Sequence, residues 1–179
     1  MGDLGFWRLA ETDPDWLALV DPEGGEHTAG NSCAGVEGAA TALVGRASVS
    51  TRPVLAHLLA TAVVGVAPEF MGIGPVPAIQ LLLQRSGLVQ EDIALFEVNE
   101  AQGAQVLAVA QMLEMDSHRL NLRGGSIALG HPLAATGLRL VMTLARQLRE
   151  QHLRYGVAAA CVGGGQGMAV LIENPGFSG

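Results

Sequence analysis

The chain has 179 residues, 49% of them hydrophobic, so it can bury a sizeable core and disorder over most of its length is excluded. Its formal net charge of -7 excludes a nucleic-acid surface, which needs an excess of Lys and Arg. Two cysteines, Cys33 and Cys161, cannot build a disulfide framework and have no His or Cys at metal-ligand spacing, so a reducing compartment is expected.

In chain order, residues 1–25 are acidic and punctuated by Asp13-Pro14, Asp21-Pro22 and Gly24-Gly25, which predicts a loose entry. That stretch lacks the pattern of a signal or transit peptide, and Phe6 stands where a myristoylation site wants Ser or Thr. Gly38 to Val44 is a small-residue apolar run that reads as a buried strand, and Thr61 to Val66 reads as another. The apolar run from Leu58 to Ala67 is too short to span a bilayer, which takes about 20 residues. A soluble protein of the cytosol or an organelle matrix is expected.

Pro77 to Arg85 predicts a helix closed by Gly87, with Pro at its start and Gly past its end. Leu95 to Val98 is a strand running into Asn99, followed by a helix with Val106, Val109, Ala110 and Leu113 on one face. Beyond Gly124-Gly125, Ile127 to Leu129 leads to His131-Pro132. Pro132 opens the clearest helix, which runs to Glu150, with Leu133, Gly137, Leu140, Val141, Leu144 and Leu148 at helical spacing. Gly156 to Cys161 and Met168 to Glu173, joined by a glycine-rich turn, predict a hairpin. This order implies an α/β domain: a mixed sheet with helices on its faces.

Three joints carry candidate chemistry, since ligands in such sheets gather where loops meet at strand ends. Asn99 reads either as a helix N-cap or as an amide aimed into a pocket. His131, just before Pro132, sits at a helix start, whose positive dipole disfavours the imidazolium. It reads either as a neutral base or as a mere cap. Cys161 reads either as a buried core residue or as a thiol whose pKa is lowered by the exposed N–H groups of the Gly163–Gly167 turn.

Together, Val98-Asn99-Glu100-Ala101, the run Gly124-Gly125-Ser126-Ile127-Ala128-Leu129-Gly130-His131-Pro132-Leu133 and Cys161-Val162-Gly163-Gly164-Gly165-Gln166-Gly167 closely resemble the thiolase family. Met71-Gly72-Ile73-Gly74-Pro75 and Thr28-Ala29-Gly30-Asn31 with Gly38-Ala39-Ala40 extend the match, which is closest to 3-ketoacyl-CoA thiolases and acetyl-CoA acetyltransferases of fatty acid β-oxidation. The resemblance implies the family's C-terminal half. Residues 1–27 would be a loose N-terminal segment, 28–50 a remnant of the joining segment that contacts coenzyme A, and 51–179 the thiolase C-terminal domain.

The resemblance also implies a reaction, thiolysis of a 3-ketoacyl-CoA or the reverse Claisen condensation. No cofactor is needed, because coenzyme A enters as substrate. By motif, His131 would activate the nucleophilic cysteine, and Asn99 would hold a water in the oxyanion hole that His131 shares. Cys161 would shuttle a proton at the substrate, and the Gly163 N–H would serve a second oxyanion hole. Cys33 and Met71 would contact substrate or coenzyme A.

Several departures from the family pattern stand out. Cys33 occupies a usual serine position, Gln102 a Phe position and Ala134 a Gly position. The nucleophilic cysteine belongs to the family's other half, so a homo-oligomer or a chain supplying that half is the expected partner. A non-catalytic thiolase-like binding or scaffold protein is the alternative. A small enzyme using Cys161 as its own nucleophile is a third reading.

Overall fold

The short apolar runs of the sequence pair into a single sheet. In the computed structural model, which describes residues 29–46 and 51–177, the strands are β1 (His57–Gly65), β2 (Ile93–Val98), β3 (Tyr155–Val162) and β4 (Gln166–Glu173). Their spatial order is β1-β4-β3-β2. β4 is antiparallel to both its neighbours, while β2 and β3 run parallel, so the sheet is mixed as expected. The helices are α1 (Pro75–Ser86), α2 (Gly103–Met112), α3 (Ser126–Leu129) and α4 (Leu133–Glu150).

Alternation along the strands sorts side chains onto two apolar layers. Phe96, Val98, Val157, Ala159 and Leu171 meet Ile79 and Leu82 of α1 and Val106 and Val109 of α2. On the opposite face Leu95, Ala158 and Ile172 meet Leu140, Leu144 and Leu148 of α4. Burying each such Leu contributes roughly 1.5–3 kcal/mol. α4 rides so close to the sheet that a Cβ on Gly156 would stand 2.8 Å from Leu144 Cδ1.

α1 begins two residues early, at Pro75, and ends as expected at Gly87, whose left-handed φ of 70° a side chain would strain. The β3–β4 hairpin also matches, with Cys161 opposite Gly167 and Val162 opposite Gln166. Two expectations need correction. Residues 38–44 form no strand: they have no regular secondary structure, and Leu43 is 95% exposed. Small apolar residues fit a buried strand or a segment lying across a surface equally well, and here residues 41–46 line one side of an apolar cavity of about 840 Å³ over β1 and α4. Pro132 is the residue before α4, with Leu133 its first helical residue. The loose entry read over residues 1–25 lies outside the described residues. Among the described residues no helix is long and apolar enough to cross a membrane.

Candidate active site

Asn99 directly follows Val98, the last residue of β2. Its N–H donates to the Ala159 carbonyl at 2.8 Å, one rung beyond the last β2–β3 pair. The outer edge of β2 is closed by Asn121, whose side chain accepts from the Val98 N–H and donates to the Val98 carbonyl, both at 2.8 Å. Held from both sides, Asn99 is 1% exposed. It is not a helix cap, because α2 starts at Gly103 with Gln102 before it.

Glu100 ties the next loop down. Its carboxylate accepts from Asn121 Nδ2 at 3.0 Å and from the Ile127 N–H at 3.2 Å, in the first turn of α3. A Cβ on Gly125 would fall on that carboxylate. The loop then delivers His131, whose own N–H donates to the Ala34 carbonyl at 2.8 Å. Residues 29–46 therefore brace the site from outside, and Cys33 donates its N–H to the Ala101 carbonyl at 3.0 Å. At the third joint the chain reverses through Gly163–Gly165, with φ of 87° at both Gly164 and Gly165. A side chain on Gly167 would stand 1.9 Å from the Gly74 carbonyl oxygen, so the hairpin docks backbone against backbone on the loop that bears Met71.

These joints meet. Asn99, His131, Cys161, Gly163 and Met71 all line one cavity of about 590 Å³, whose remaining wall is mainly apolar, with Leu133, Leu140, Val141 and Met168. Asn99 Nδ2 lies 3.5 Å from His131 Nε2. Ala101 also lines the cavity, whereas Cys33 stands one backbone bond behind it. The Cys33 thiol is still near enough for its charge to act on Cys161.

The electrostatics correct one expectation and refine another. Burial pushes the Cys161 thiol up rather than down, and Cys33 adds to the shift. Desolvation at the end of β3 outweighs the hydrogen bond from the residue's own backbone, which acts the other way. The His131 imidazole is held below its ordinary range, as anticipated, but the causes are burial and the positive charge of Arg139. Arg139 itself, with Ser126 and Thr136, was not legible in the sequence as part of the site. The only available signal was polar residues at positions flanked by core residues. Both cysteines are free thiols. Among the described residues no cluster of His, Cys, Asp and Glu could hold a metal ion.

Comparison with known proteins matches residues 52–174 to the model of the thiolase C-terminal domain. The chain belongs to the thiolase family, through its C-terminal portion. It is 44% identical over 172 residues to the peroxisomal 3-ketoacyl-CoA thiolase B of Rattus norvegicus, covering 92% of this chain and 41% of that protein. It is 42% identical over 174 residues to the probable acetyl-CoA acetyltransferase of Escherichia coli K12, covering 96% of this chain and 43% of that protein. The solved human mitochondrial 3-ketoacyl-CoA thiolase, also known in complex with CoA, superposes with a TM-score of 0.66 at 48% identity over 67% of this chain and 30% of that chain. The chain thus spans less than half the length of the relatives it matches.

Proposed function

We propose that this chain supplies the acid/base half of a thiolase-type acyltransferase working on acyl-CoA thioesters, either by thiolysis of a 3-ketoacyl-CoA or by the reverse condensation. The observation that carries this reading is the convergence of Asn99, His131 and Cys161 from three separate joints onto one apolar-walled cavity. His131, kept neutral by burial and Arg139, suits the base that takes the proton of a cysteine nucleophile. That cysteine is expected from the family's other half, in the same longer product or in a partner chain.

In the acylation step the cysteine thiolate attacks the 3-keto carbonyl, and the charge developing on that oxygen is met by the second oxyanion hole, to which the Gly163 N–H contributes. Asn99 and His131 serve the thioester oxygen of the departing acyl-CoA enolate. Collapse breaks the bond to the α-carbon, which leaves with its electron pair and takes a proton from the Cys161 thiol. A thiol pushed upward by burial is protonated at neutral pH and ready to give that proton. Coenzyme A, giving its proton back to Cys161, then carries off the acyl group. Relatives named as peroxisomal and mitochondrial enzymes support an organelle matrix, besides the cytosol, as the proposed compartment.

The test is a chimera joining the N-terminal portion of the rat peroxisomal relative to this chain, assayed spectrophotometrically with acetoacetyl-CoA and coenzyme A. Turnover that disappears in His131→Ala and Cys161→Ala supports the proposal. A soluble, folded chimera that binds coenzyme A without turnover favours the non-catalytic binding or scaffold reading instead.

A further inference from the structure

A series of five hydrogen bonds runs behind the cavity wall, and the chemistry of its two ends bears on its direction. A guanidinium can only donate and a carbonyl can only accept. Arg139 Nη2 donates to Ser126 Oγ at 3.0 Å, which commits the single hydroxyl hydrogen of Ser126 to Asn99 Oδ1, 2.6 Å away. The Asn99 amide is therefore turned with Nδ2 toward His131 Nε2, the longest link of the series at 3.5 Å. On the far side of the ring, Thr136 Oγ1 donates to the Pro132 carbonyl at 3.1 Å, so it accepts from His131 Nδ1 at 2.7 Å. Ser126, Asn99 and Thr136 are all buried, so bulk water competes for none of these side chains.

Both neighbours of the imidazole thus favour one tautomer, with the hydrogen on Nδ1 and the lone pair on Nε2. We propose that Ser126 and Arg139 are positioning residues: by fixing the Asn99 amide they hold His131 as the Nδ1–H tautomer, with Nε2 as the basic atom. The use of that atom rests on the acyl-transfer reading above, but the tautomer is a property of the free chain. Without the Ser126 hydroxyl, the amide is free to reverse and present Oδ1 to Nε2. An acceptor there favours a hydrogen on Nε2, as the other neutral tautomer or as the imidazolium.

Long-range ¹H–¹⁵N spectra of the labelled full chain read this directly, since the two ring nitrogens shift far apart when only one is protonated. The wild-type chain is expected to show Nδ1–H at neutral pH. Ser126→Ala is expected to move population to Nε2–H and to raise the His131 pKa by about half a unit or more. Ser126→Thr should restore the wild-type pattern, with His57, His118 and His152 reporting an unchanged fold. Arg139→Met, which frees the Ser126 hydrogen by a different route, should shift the tautomer as Ser126→Ala does, and it keeps the question open to test should Ser126→Ala not fold. It is read from the ring-nitrogen shifts, because loss of the Arg139 charge raises the His131 pKa by itself. A dominant Nε2–H tautomer in the wild type, or folded variants with an unaltered His131 titration, overturns the proposal. An inactive chimera would sink the acyl-transfer reading while leaving these spectra as they are, so the two failures are distinguishable.

Discussion

Burial and Cys33 both raise the Cys161 thiol, and the consequence can be read by alkylation. Because only the thiolate reacts, the rate of Cys161 with iodoacetamide should reach half its maximum above the ordinary cysteine value of about 8.5. Peptide mass spectrometry across a pH series checks this, and a midpoint at or below that value would contradict a desolvated thiol. At this scale the sequence displayed the residue types but not their surroundings. Asn99, His131 and Cys161 were legible because each is a reactive or polar residue at the end of an apolar run. The causes of the His131 shift were not: burial, the larger one, depends on the packed fold, and the contributing cation, Arg139, lies nearly two helical turns beyond the loop and looks like a solvent-facing residue of α4. Ser126 gave still less warning. Its partners Asn99 and Arg139 are 27 and 13 residues away, and no periodicity connects them.

Between β2 and α4 lies a carboxyl that burial raises from 4.5 to about 7, that of Glu97. Gln147 Nε2 donates to one of its oxygens at 2.7 Å, and the other meets no donor among the described residues. The unfolded chain releases this proton near 4.5 and the folded chain near 7, so between those values the folded state holds more of it. Stability therefore falls as pH rises through that window, by about 3 kcal/mol if the shift is fully expressed. Glu97→Gln should gain in melting temperature over the wild type by several degrees at pH 8 and by little at pH 4. A gap that stays constant with pH would rule out a proton on Glu97.

Glycines in two elements should behave oppositely when replaced. Gly167→Ala in β4 drives a methyl into the Gly74 backbone and should cost about 1–3 kcal/mol. Gly137→Ala in α4 has open space around it and should stabilise the helix by about 1 kcal/mol. Urea titrations of the two variants compare them. The caps of α1 and the β3–β4 hairpin were legible as elements, because turn residues and apolar spacing act locally. Residues 38–44 were misread because whether such a run pairs or lies across a surface depends on which other surfaces are present, and sequence pattern is silent on that.

The whole molecule leaves two leucines almost bare: Leu43, 95% exposed, on the wall of the larger apolar cavity, and Leu133, 82% exposed, on the wall of the cavity that holds Asn99 and His131. Patches of this kind mark an interface. Light scattering after size exclusion should therefore find a mass above the 18.5 kDa of one chain, and a clean monomer that binds no hydrophobic dye would count against it. The chain alone should not turn over acetoacetyl-CoA. Activity that survives Cys33→Ala would mean the nucleophile has been misplaced.

The parallel pairing of β2 with β3 has a consequence in time as well as in space. These neighbouring strands are separated in sequence by residues 99–154, which carry α2, α3 and α4. The β3–β4 hairpin can zip locally, but β2 can join it only after that long excursion has closed, a step with a large entropic barrier. The bond from the Asn99 N–H to Ala159 lies just past this seam. In pulse-labelled refolding, the Asn99 amide should gain protection from exchange with the slow closure of the seam, after the hairpin amides are already protected. A chain still emerging from the ribosome would then lack the joint that carries Asn99 to the cavity until β3 had been made and docked: the candidate site is among the last parts of the fold to exist, and a half-built copy has none.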